Sequence, residues 1–208
     1  MNIDIPDFPQ GENLPGLLIN PRKGFVYLGG NLAYKYVKVL SDALSHLEVS
    51  PGQFFLLIGR VKGGSFSAGM EILNMLQKPG RKAVGVVKEL AASAAFVAFQ
   101  GCSVRLAYPD SRFLIHNPEA MDPNPILIRH NMPREEYLQE SEAHFNEISA
   151  LVDKGRENLI LALLKRSGKL SRKALEDILE GEKEFGVEEA LKWGFLDRVI
   201  QMGACRLS

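Results

Sequence analysis

Continuous apolar runs mark the strands that this sequence predicts, at 25–28, 54–58, 83–87, 112–115 and 195–200. Between them, apolar residues recur at the spacing of amphipathic helices, over 31–47, 67–77, 91–100, 171–179 and 187–193. Continuous apolar strands are typical of a parallel sheet covered on both faces, and strands that alternate with helices form right-handed βαβ units. The pattern therefore predicts an α/β fold with a mainly parallel sheet.

Three segments fall outside this alternation. Residues 1–24 carry four prolines before Arg22 and are expected to form an irregular, exposed arm. Residues 119–134 are again rich in proline and predict a loop or flap. Residues 135–166 predict one long helix with a stripe of Ile148, Leu151, Val152, Leu159 and Leu163. Such a stripe needs a partner surface, which could be another subunit. We expect one domain over 25–200 that includes the flap and the long helix, followed by a tail at 201–208.

Composition and charge narrow the class of protein. The 208 residues are 46% hydrophobic and 24% charged, as in ordinary globular proteins, and the formal net charge is zero. That balance argues against a nucleic-acid binder that relies on an overall positive field. No apolar run is long enough for a membrane span, and the first residues lack the basic start of a signal peptide. The two cysteines, Cys102 and Cys205, suggest no disulfide framework. We expect a cytoplasmic protein without membrane or nucleic-acid partners.

Ser93 lies among small residues, between a strand and a helix, in the segment Leu90 to Phe96. Backbone amides at a helix start are unpaired, and the helix dipole there favours developing negative charge, so a serine at this place suits nucleophilic catalysis. Serine is also a preferred N-cap residue. Judged by its neighbours alone, Ser93 fits the N-cap interpretation better.

A glycine pair and a histidine could also take part in catalysis. Gly63-Gly64 follows a strand and precedes a helix, where glycines can present backbone N–H groups to an oxyanion or simply form a turn. His116 ends a buried strand before Asn117-Pro118, as a base for a serine or as a structural histidine. The spacing of His, Cys, Asp and Glu along the chain suggests no metal site. No cofactor motif is present either, because the glycines do not match a dinucleotide or phosphate loop.

Taken together, these features resemble the proteolytic subunit of the Clp protease, within the wider Clp/crotonase superfamily. The matching segments are Gly63-Gly64-Ser65 with Ala68-Gly69-Met70, Ala91-Ala92-Ser93, Pro109 to Arg112, Ile115 to Pro118, and Glu189-Ala190 with Trp193 to Asp197. Each segment is short, but their order and spacing are specific. The resemblance spans about Val26 to Ile200.

The resemblance implies a fold of repeated ββα units with a mainly parallel sheet and a long protruding handle helix. It implies a serine endopeptidase with Ser93 as nucleophile and His116 as general base. Backbone N–H groups of Gly64, Phe66 and Ala94 would lie at or near the oxyanion hole. It further implies peptide or unfolded-protein substrates, a homo-oligomeric ring, stacked rings joined through the handle, and an AAA+ unfoldase as partner.

The third triad member departs from the family, which has an aspartate here. A gap-free register from Ser171 places Glu182 at that position, with Glu180 and Glu184 as rivals. Glutamate can orient an imidazole as aspartate does. The proline of the family's Ser-Pro-Gly-Gly is replaced by Lys62.

Further departures are a missing glycine before Ala-Ala-Ser, a one-residue deletion after Ser93, and a longer segment after His116. They leave alternatives open: a catalytically weak or inactive Clp-like scaffold subunit, a crotonase-like acyl-CoA enzyme, or a Ser–Lys peptidase that uses Lys62 or Lys88.

Overall fold

The computed structural model describes residues 3, 5–9, 16–20, 22–47, 54–119 and 134–201. Within these ranges, the strands are β1 (Leu17–Asn20), β2 (Phe25–Leu28), β3 (Phe54–Val61), β4 (Ala83–Ala92), β5 (Val104–Ala107), β6 (Arg112–Leu114) and β7 (Arg198–Val199). The helices are α1 (Lys35–Leu47), α2 (Phe66–Leu76), α3 (Ala94–Phe99), α4 (Arg134–Ser167), α5 (Arg172–Gly181) and α6 (Val187–Trp193). The alternation of strands and helices confirms the predicted α/β class.

The strands form one sheet in the order β1-β2-β3-β4-β5-β7, and β6 pairs separately with β4. Every pair is parallel except β1 with β2. The central strand β4 pairs with β5 over Val84–Val87 and then with β6 over Leu90–Ala92. Since parallel strands end at the same edge of a sheet, the residues that follow β4 and β6 meet there. Those residues begin with Ser93 and Ile115.

Helices cover one face of the sheet, and the other face buries part of the N-terminal arm. Phe8 is buried against Tyr27 and Tyr108, both in edge-to-face contact. Residues 17–20 form β1 and pair with β2. The prediction of an irregular, exposed arm is therefore wrong for these parts. The physical reason is that the sheet face carrying Tyr27 and Phe55 would otherwise stay exposed, so apolar residues of the arm cover it.

Several element boundaries differ from the prediction. β4 continues to Ala92, where a helix was expected from residue 91, and α1 begins at Lys35 instead of residue 31. β5 was missed altogether because its four residues include Arg105. That arginine is buried and forms an ion pair with Asp197, with 2.7 Å between Nη2 and Oδ1. Burial alone would raise the pKa of Asp197, but hydrogen bonds from Arg105 and its charge outweigh burial and hold that pKa below its ordinary value.

The long helix is confirmed as α4, and its two halves differ. Leu159 and Leu163 of the predicted stripe are buried in the core near its C-terminal end. Leu138 and Phe145, in the N-terminal half, and Leu151, at the midpoint, are 49–69% exposed. The flap prediction at 119–134 lies outside the described residues except for Glu119 and the start of α4, and the tail likewise except for residue 201. None of the described helices is long and apolar enough to cross a membrane.

Candidate active site

Ser93 occupies a sharp turn between β4 and α3. Its backbone has φ 51° and ψ −122°, an unusual conformation for a residue with a side chain. Such a conformation costs roughly 1–3 kcal/mol and persists only where the surroundings fix it. Here the Ser93 N–H donates to the carbonyl of Leu114 at 2.8 Å, and its own carbonyl accepts from the N–H of Val97 at 3.1 Å. The turn is therefore held by β6 on one side and by α3 on the other.

The Ser93 hydroxyl takes no part in capping α3. Two other serines show what a capping hydroxyl looks like in this protein. Ser65 Oγ accepts from the N–H of Ala68 at 3.3 Å, and Ser171 Oγ accepts from the N–H of Ala174 at 3.2 Å. Ser93 stands at the N-cap position without making this bond, so the N-cap interpretation is not supported. Ser93 instead lines a cavity.

The Gly63-Gly64 loop is fixed between Leu32 and Ser93. The N–H of Leu32 donates to the carbonyl of Gly63, and the N–H of Ser65 donates to the carbonyl of Leu32, both at 2.8 Å. Gly63 and Gly64 have φ values of 138° and 143°. A Cβ atom on Gly64 would lie 2.2 Å from the Leu32 carbonyl oxygen, and one on Gly63 would lie 3.0 Å from Ser93 Cβ. Both positions therefore require glycine.

This loop leaves backbone donors without partners beside the serine. Within the described part of the chain, the N–H groups of Gly64, Phe66 and Ala94 donate to no backbone carbonyl. Phe66 and Ala94 are the first residues of α2 and α3, where helix geometry leaves N–H groups unpaired. These are the three residues that the sequence suggested for an oxyanion hole. Gly64 and Phe66 line the same cavity as Ser93.

His116 reaches this cavity from β6. The register of β4 and β6 continues through the Ser93–Leu114 hydrogen bond, so His116 lies close to the serine turn. Ser93 and His116 both line a cavity of about 680 Å³. Its apolar wall comprises Phe66, Val97, Ile115, Leu151, Val152 and Leu159. The cavity thus combines a serine, an imidazole and an apolar surface of side-chain size.

The His116 ring has a defined neighbour. Its Nδ1 lies 2.7 Å from the carbonyl oxygen of Asn117, and the side chain of Asn117 accepts from Arg156 Nε at 2.9 Å. A proton on Nδ1 would make this a hydrogen bond and leave Nε2 as the acceptor. Among the described residues, His116 and Ser93 make no hydrogen bond to each other. In resting enzymes such bonds are often long and tighten when substrate binds.

Glu182 is brought to His116 by an antiparallel bridge between Phe113 and Phe185. The two phenylalanines exchange N–H···O bonds of 2.9 and 2.8 Å. His116 lies three residues after one of them, and Glu182 lies three residues before the other. A carboxylate oxygen of Glu182 and a ring nitrogen of His116 consequently lie within 4.8 Å of each other.

The rivals of Glu182 are engaged elsewhere. Glu180 lies 3.6 Å from Arg156, and Glu184 lies 3.8 Å from Arg112. Glu182 caps α5 in a left-handed conformation, with φ 46° and ψ 35°. Among the described non-glycine residues, only Glu182 and Ser93 have a positive φ. Of the three glutamates considered from the sequence, Glu182 is the one that the structure places beside His116.

Sequence reasoning missed Glu119 as a site residue. Its carboxylate lies within 4.8 Å of both the His116 ring and the Glu182 carboxylate, and it lines the cavity. The only signal was its position three residues after His116, in a segment assigned to the flap. The absence of metal-ligand spacing also concealed this group, because Glu182 is remote from the other two residues along the chain.

The remaining candidate residues fall on different sides of the fold. Lys62 lines the cavity, whereas Lys88 lies 5.7 Å from the ring centroid of Phe8 on the opposite face of the sheet. Lys88 is therefore not placed to serve as a base for Ser93. Burial raises the pKa of Cys102 to about 12, so its thiol stays protonated and does not compete as a nucleophile.

Comparisons with known proteins bear on the family and on the fold. A family model described as Clp protease matches residues 21–203. Among solved structures, an Asn-to-Asp mutant of ClpP1 from Listeria monocytogenes matches with a TM-score of 0.70 and 19% sequence identity. The match covers 89% of this chain and 96% of the other. No curated relative matches. At this identity the structural likeness supports the fold, and the family match spans most of the chain.

Proposed function

The chain belongs to the Clp protease family, and we propose that it is a serine endopeptidase in which Ser93 is the nucleophile and His116 the general base. The observation that carries this proposal is the Ser93 turn. The serine is held at φ 51°, its hydroxyl makes no capping bond to α3, and the residue lines a cavity that His116 also lines. A strained nucleophile at a strand-to-helix turn is a recurring device of hydrolases.

In the proposed reaction, His116 accepts the proton of the Ser93 hydroxyl while Oγ attacks the carbonyl carbon of a peptide bond. The resulting tetrahedral oxyanion is stabilised by the backbone N–H groups of Gly64, Phe66 and Ala94. His116 then gives its proton to the leaving amine, and an ester to Ser93 remains. A water molecule, deprotonated by His116, then attacks this ester. His116 returns that proton to Ser93 Oγ as the acyl C–O bond breaks, which releases the carboxyl product and restores the free serine.

Glu182 is the proposed acid of the triad. Its negative charge within 4.8 Å of the His116 ring would favour the imidazolium that forms during attack. The Asn117 carbonyl would hold the proton on Nδ1, and Arg156 would fix Asn117 from α4. Two groups therefore share the work that one buried aspartate performs in other triads.

We also infer a ring assembly from the unpaired half of α4. Leu138, Phe145 and Leu151 expose large apolar side chains on this helix. A surface of this kind is typical of subunit contacts. The proposal includes stacked homo-oligomeric rings joined through α4, unfolded proteins as substrates, an AAA+ unfoldase as partner and a location in the cytoplasm.

The direct test is covalent labelling by a serine-directed phosphonate. Wild-type protein should be labelled on Ser93 and should cleave a fluorogenic peptide, and Ser93→Ala should lose both while keeping its assembly state. Ser171→Ala is the matched control, because it removes a serine at another helix start and costs about 1 kcal/mol of stability. Equal labelling of Ser93→Ala and wild type would refute the assignment.

A second candidate function is a weakly active or inactive scaffold subunit of a Clp-type assembly. The observation in its favour is that Ser93 and His116 make no hydrogen bond among the described residues, while His116 Nδ1 faces the Asn117 carbonyl. The purified protein would then neither react with the phosphonate nor cleave peptides, yet would form mixed rings with an active subunit. Robust peptidase activity of the purified chain alone would exclude it.

A further inference from the structure

We propose that His116, Glu119 and Glu182 form a zinc site whose occupation switches the active site off. One ligand atom from each of these residues lies within 4.8 Å of the other two. Binding itself is independent of the proposed function, whereas the inhibitory effect rests on His116 being the general base. The site joins three segments, namely the loop after β6, the segment that follows it and the C-terminal end of α5.

The two carboxylates lack a cationic partner among the residues that the structure describes. Within the described ranges, neither Glu119 nor Glu182 has a hydrogen-bond or ion-pair partner. The neighbouring Glu180 and Glu184 both lie beside arginines. Two unpaired carboxylates held near one imidazole repel each other unless a cation lies between them. The arrangement thus has the charge and the donor atoms of a cation site.

The geometry requires little adjustment. Zinc binds imidazole nitrogen and carboxylate oxygen at about 2.0–2.2 Å, so tetrahedral ligands lie about 3.4 Å apart. The three atoms would have to approach by no more than about 1.4 Å, a movement within reach of rotamer changes in exposed glutamates. Both glutamates are exposed and His116 is half-buried. Three protein ligands leave the fourth position for a water molecule, which can enter from the adjoining cavity.

The donor set selects the metal. Calcium and magnesium prefer sites made only of oxygen atoms, whereas an imidazole with carboxylates favours zinc and its neighbours in the transition series. Cys102, the one cysteine in the described residues, is buried and not part of the group. We therefore name Zn²⁺ as the ligand and Mg²⁺ as the control ion.

Coordination would remove the base from the reaction. The ring nitrogen that binds zinc has its lone pair in the metal bond and accepts no proton from Ser93. The carboxylate of Glu182 would be bound to the same ion and could no longer favour an imidazolium. Zinc would thus act as a reversible inhibitor that blocks attack by Ser93 without occupying the apolar part of the cavity.

The experiment measures binding and reactivity separately on the full-length, untagged assembly. Zinc binding is followed by competition with a chromophoric chelator, and phosphonate labelling of Ser93 is followed with and without zinc. We expect one site per chain that Glu119→Gln weakens at least about tenfold, because losing a ligand should exceed the effect of losing a supporting residue. Zinc should suppress labelling of wild type, a chelator should restore it, and Mg²⁺ should have no effect.

Glu184→Gln is the matched control, because Glu184 lies in the same loop but beside Arg112, and it should bind zinc as wild type does. His116→Ala should abolish the site. Unchanged zinc affinity in both Glu119→Gln and His116→Ala, or saturable binding that Mg²⁺ matches, would overturn the proposal. If the protein binds zinc at these residues but never reacts with the phosphonate, the peptidase assignment fails and the metal site stands.

Discussion

The two halves of the candidate active site are built in different ways. The serine half is enclosed by backbone: Ser93 is tied to β6 and α3, and Gly63-Gly64 is pressed against Leu32. The histidine half is held by side chains at the surface, with Glu182 and Glu119 exposed around His116. Backbone contacts admit almost no adjustment, whereas exposed side chains change rotamer readily. The proposed nucleophile and oxyanion donors are therefore preorganised, and the proposed base and acid are adjustable.

This contrast locates where activity can be controlled. A strained turn such as Ser93 cannot be switched without disturbing the sheet beneath it, because Phe96 and Phe113 under the turn are fully buried and in edge-to-face contact. The surroundings of His116 depend on Asn117, Arg156 and the bridge at Phe185. Regulation by a ligand or by subunit contact would act on this second half.

The largest effect is expected from Gly64→Ala, which alters the backbone of the serine half. The new Cβ would lie 2.2 Å from the Leu32 carbonyl oxygen, a backbone atom that cannot rotate away, and φ of 143° is unfavourable for alanine. The loop must then shift and carry its N–H away from the oxyanion. Loss of one such donor lowers kcat by about 100- to 1,000-fold. Steady-state hydrolysis of a fluorogenic peptide gives the change directly.

Gly80→Ala is the control for backbone strain. Gly80 also has positive φ, 85°, but a Cβ there would meet nothing within 4 Å. This variant should lose about 1 kcal/mol of unfolding free energy and keep its peptidase activity. If Gly64→Ala retained wild-type kcat, the backbone of this loop would not be the oxyanion hole.

The succession of strands and helices in the serine half could be predicted from the sequence, and the conformation of its turn could not. Apolar runs and helical spacing were enough to place β3, α2, β4 and the serine at a strand-to-helix junction. Nothing in Ala91-Ala92-Ser93 indicates φ of 51°, because that value is imposed by hydrogen bonds to Leu114 and Val97. The covered N-terminal arm was missed for a similar reason, since burial of Phe8 depends on a sheet face assembled from distant strands.

A smaller effect is expected from Glu182→Gln in the histidine half. The substitution removes the charge near His116 and keeps the size of the side chain. Loss of a buried triad aspartate lowers kcat by about 10,000-fold, but Glu182 is exposed and the Asn117 carbonyl also holds Nδ1, so a fall of about 10- to 100-fold is expected. The fall should appear in kcat more than in KM.

The comparison variant is Glu184→Gln, which removes an equally exposed charge two residues away and should stay within about twofold of wild type. Equal losses in the two variants would mean that the loop and not the Glu182 charge matters.

The sequence supplied three glutamates here without a means to choose between them. The choice depends on the Phe113–Phe185 bridge, which pairs residues 72 positions apart. Glu119 was overlooked because no local pattern predicts how the chain turns after Pro118.

The smallest effect is expected from Arg156→Ala, which tests whether α4 supports the base. Arg156 donates from Nε to Asn117 Oδ1 at 2.9 Å and lies 3.6–3.8 Å from Glu176 and Glu180 of α5. Its removal frees Asn117 and with it the carbonyl that faces His116, so kcat should fall about three- to tenfold with KM nearly unchanged.

Arg172→Ala separates this role from simple loss of an ion pair. Arg172 is also an arginine beside Glu176, at 3.0 Å, but its other partner is Glu157 and it touches neither Asn117 nor His116. As an exposed residue, it should change unfolding free energy by less than about 1 kcal/mol and leave kcat as it is. A kcat loss confined to Arg156→Ala would connect α4, the helix proposed for ring contact, to the base through one side chain. If both variants had the same kcat, the Arg156–Asn117 contact would not support the base, and the histidine half would depend on its own loop alone.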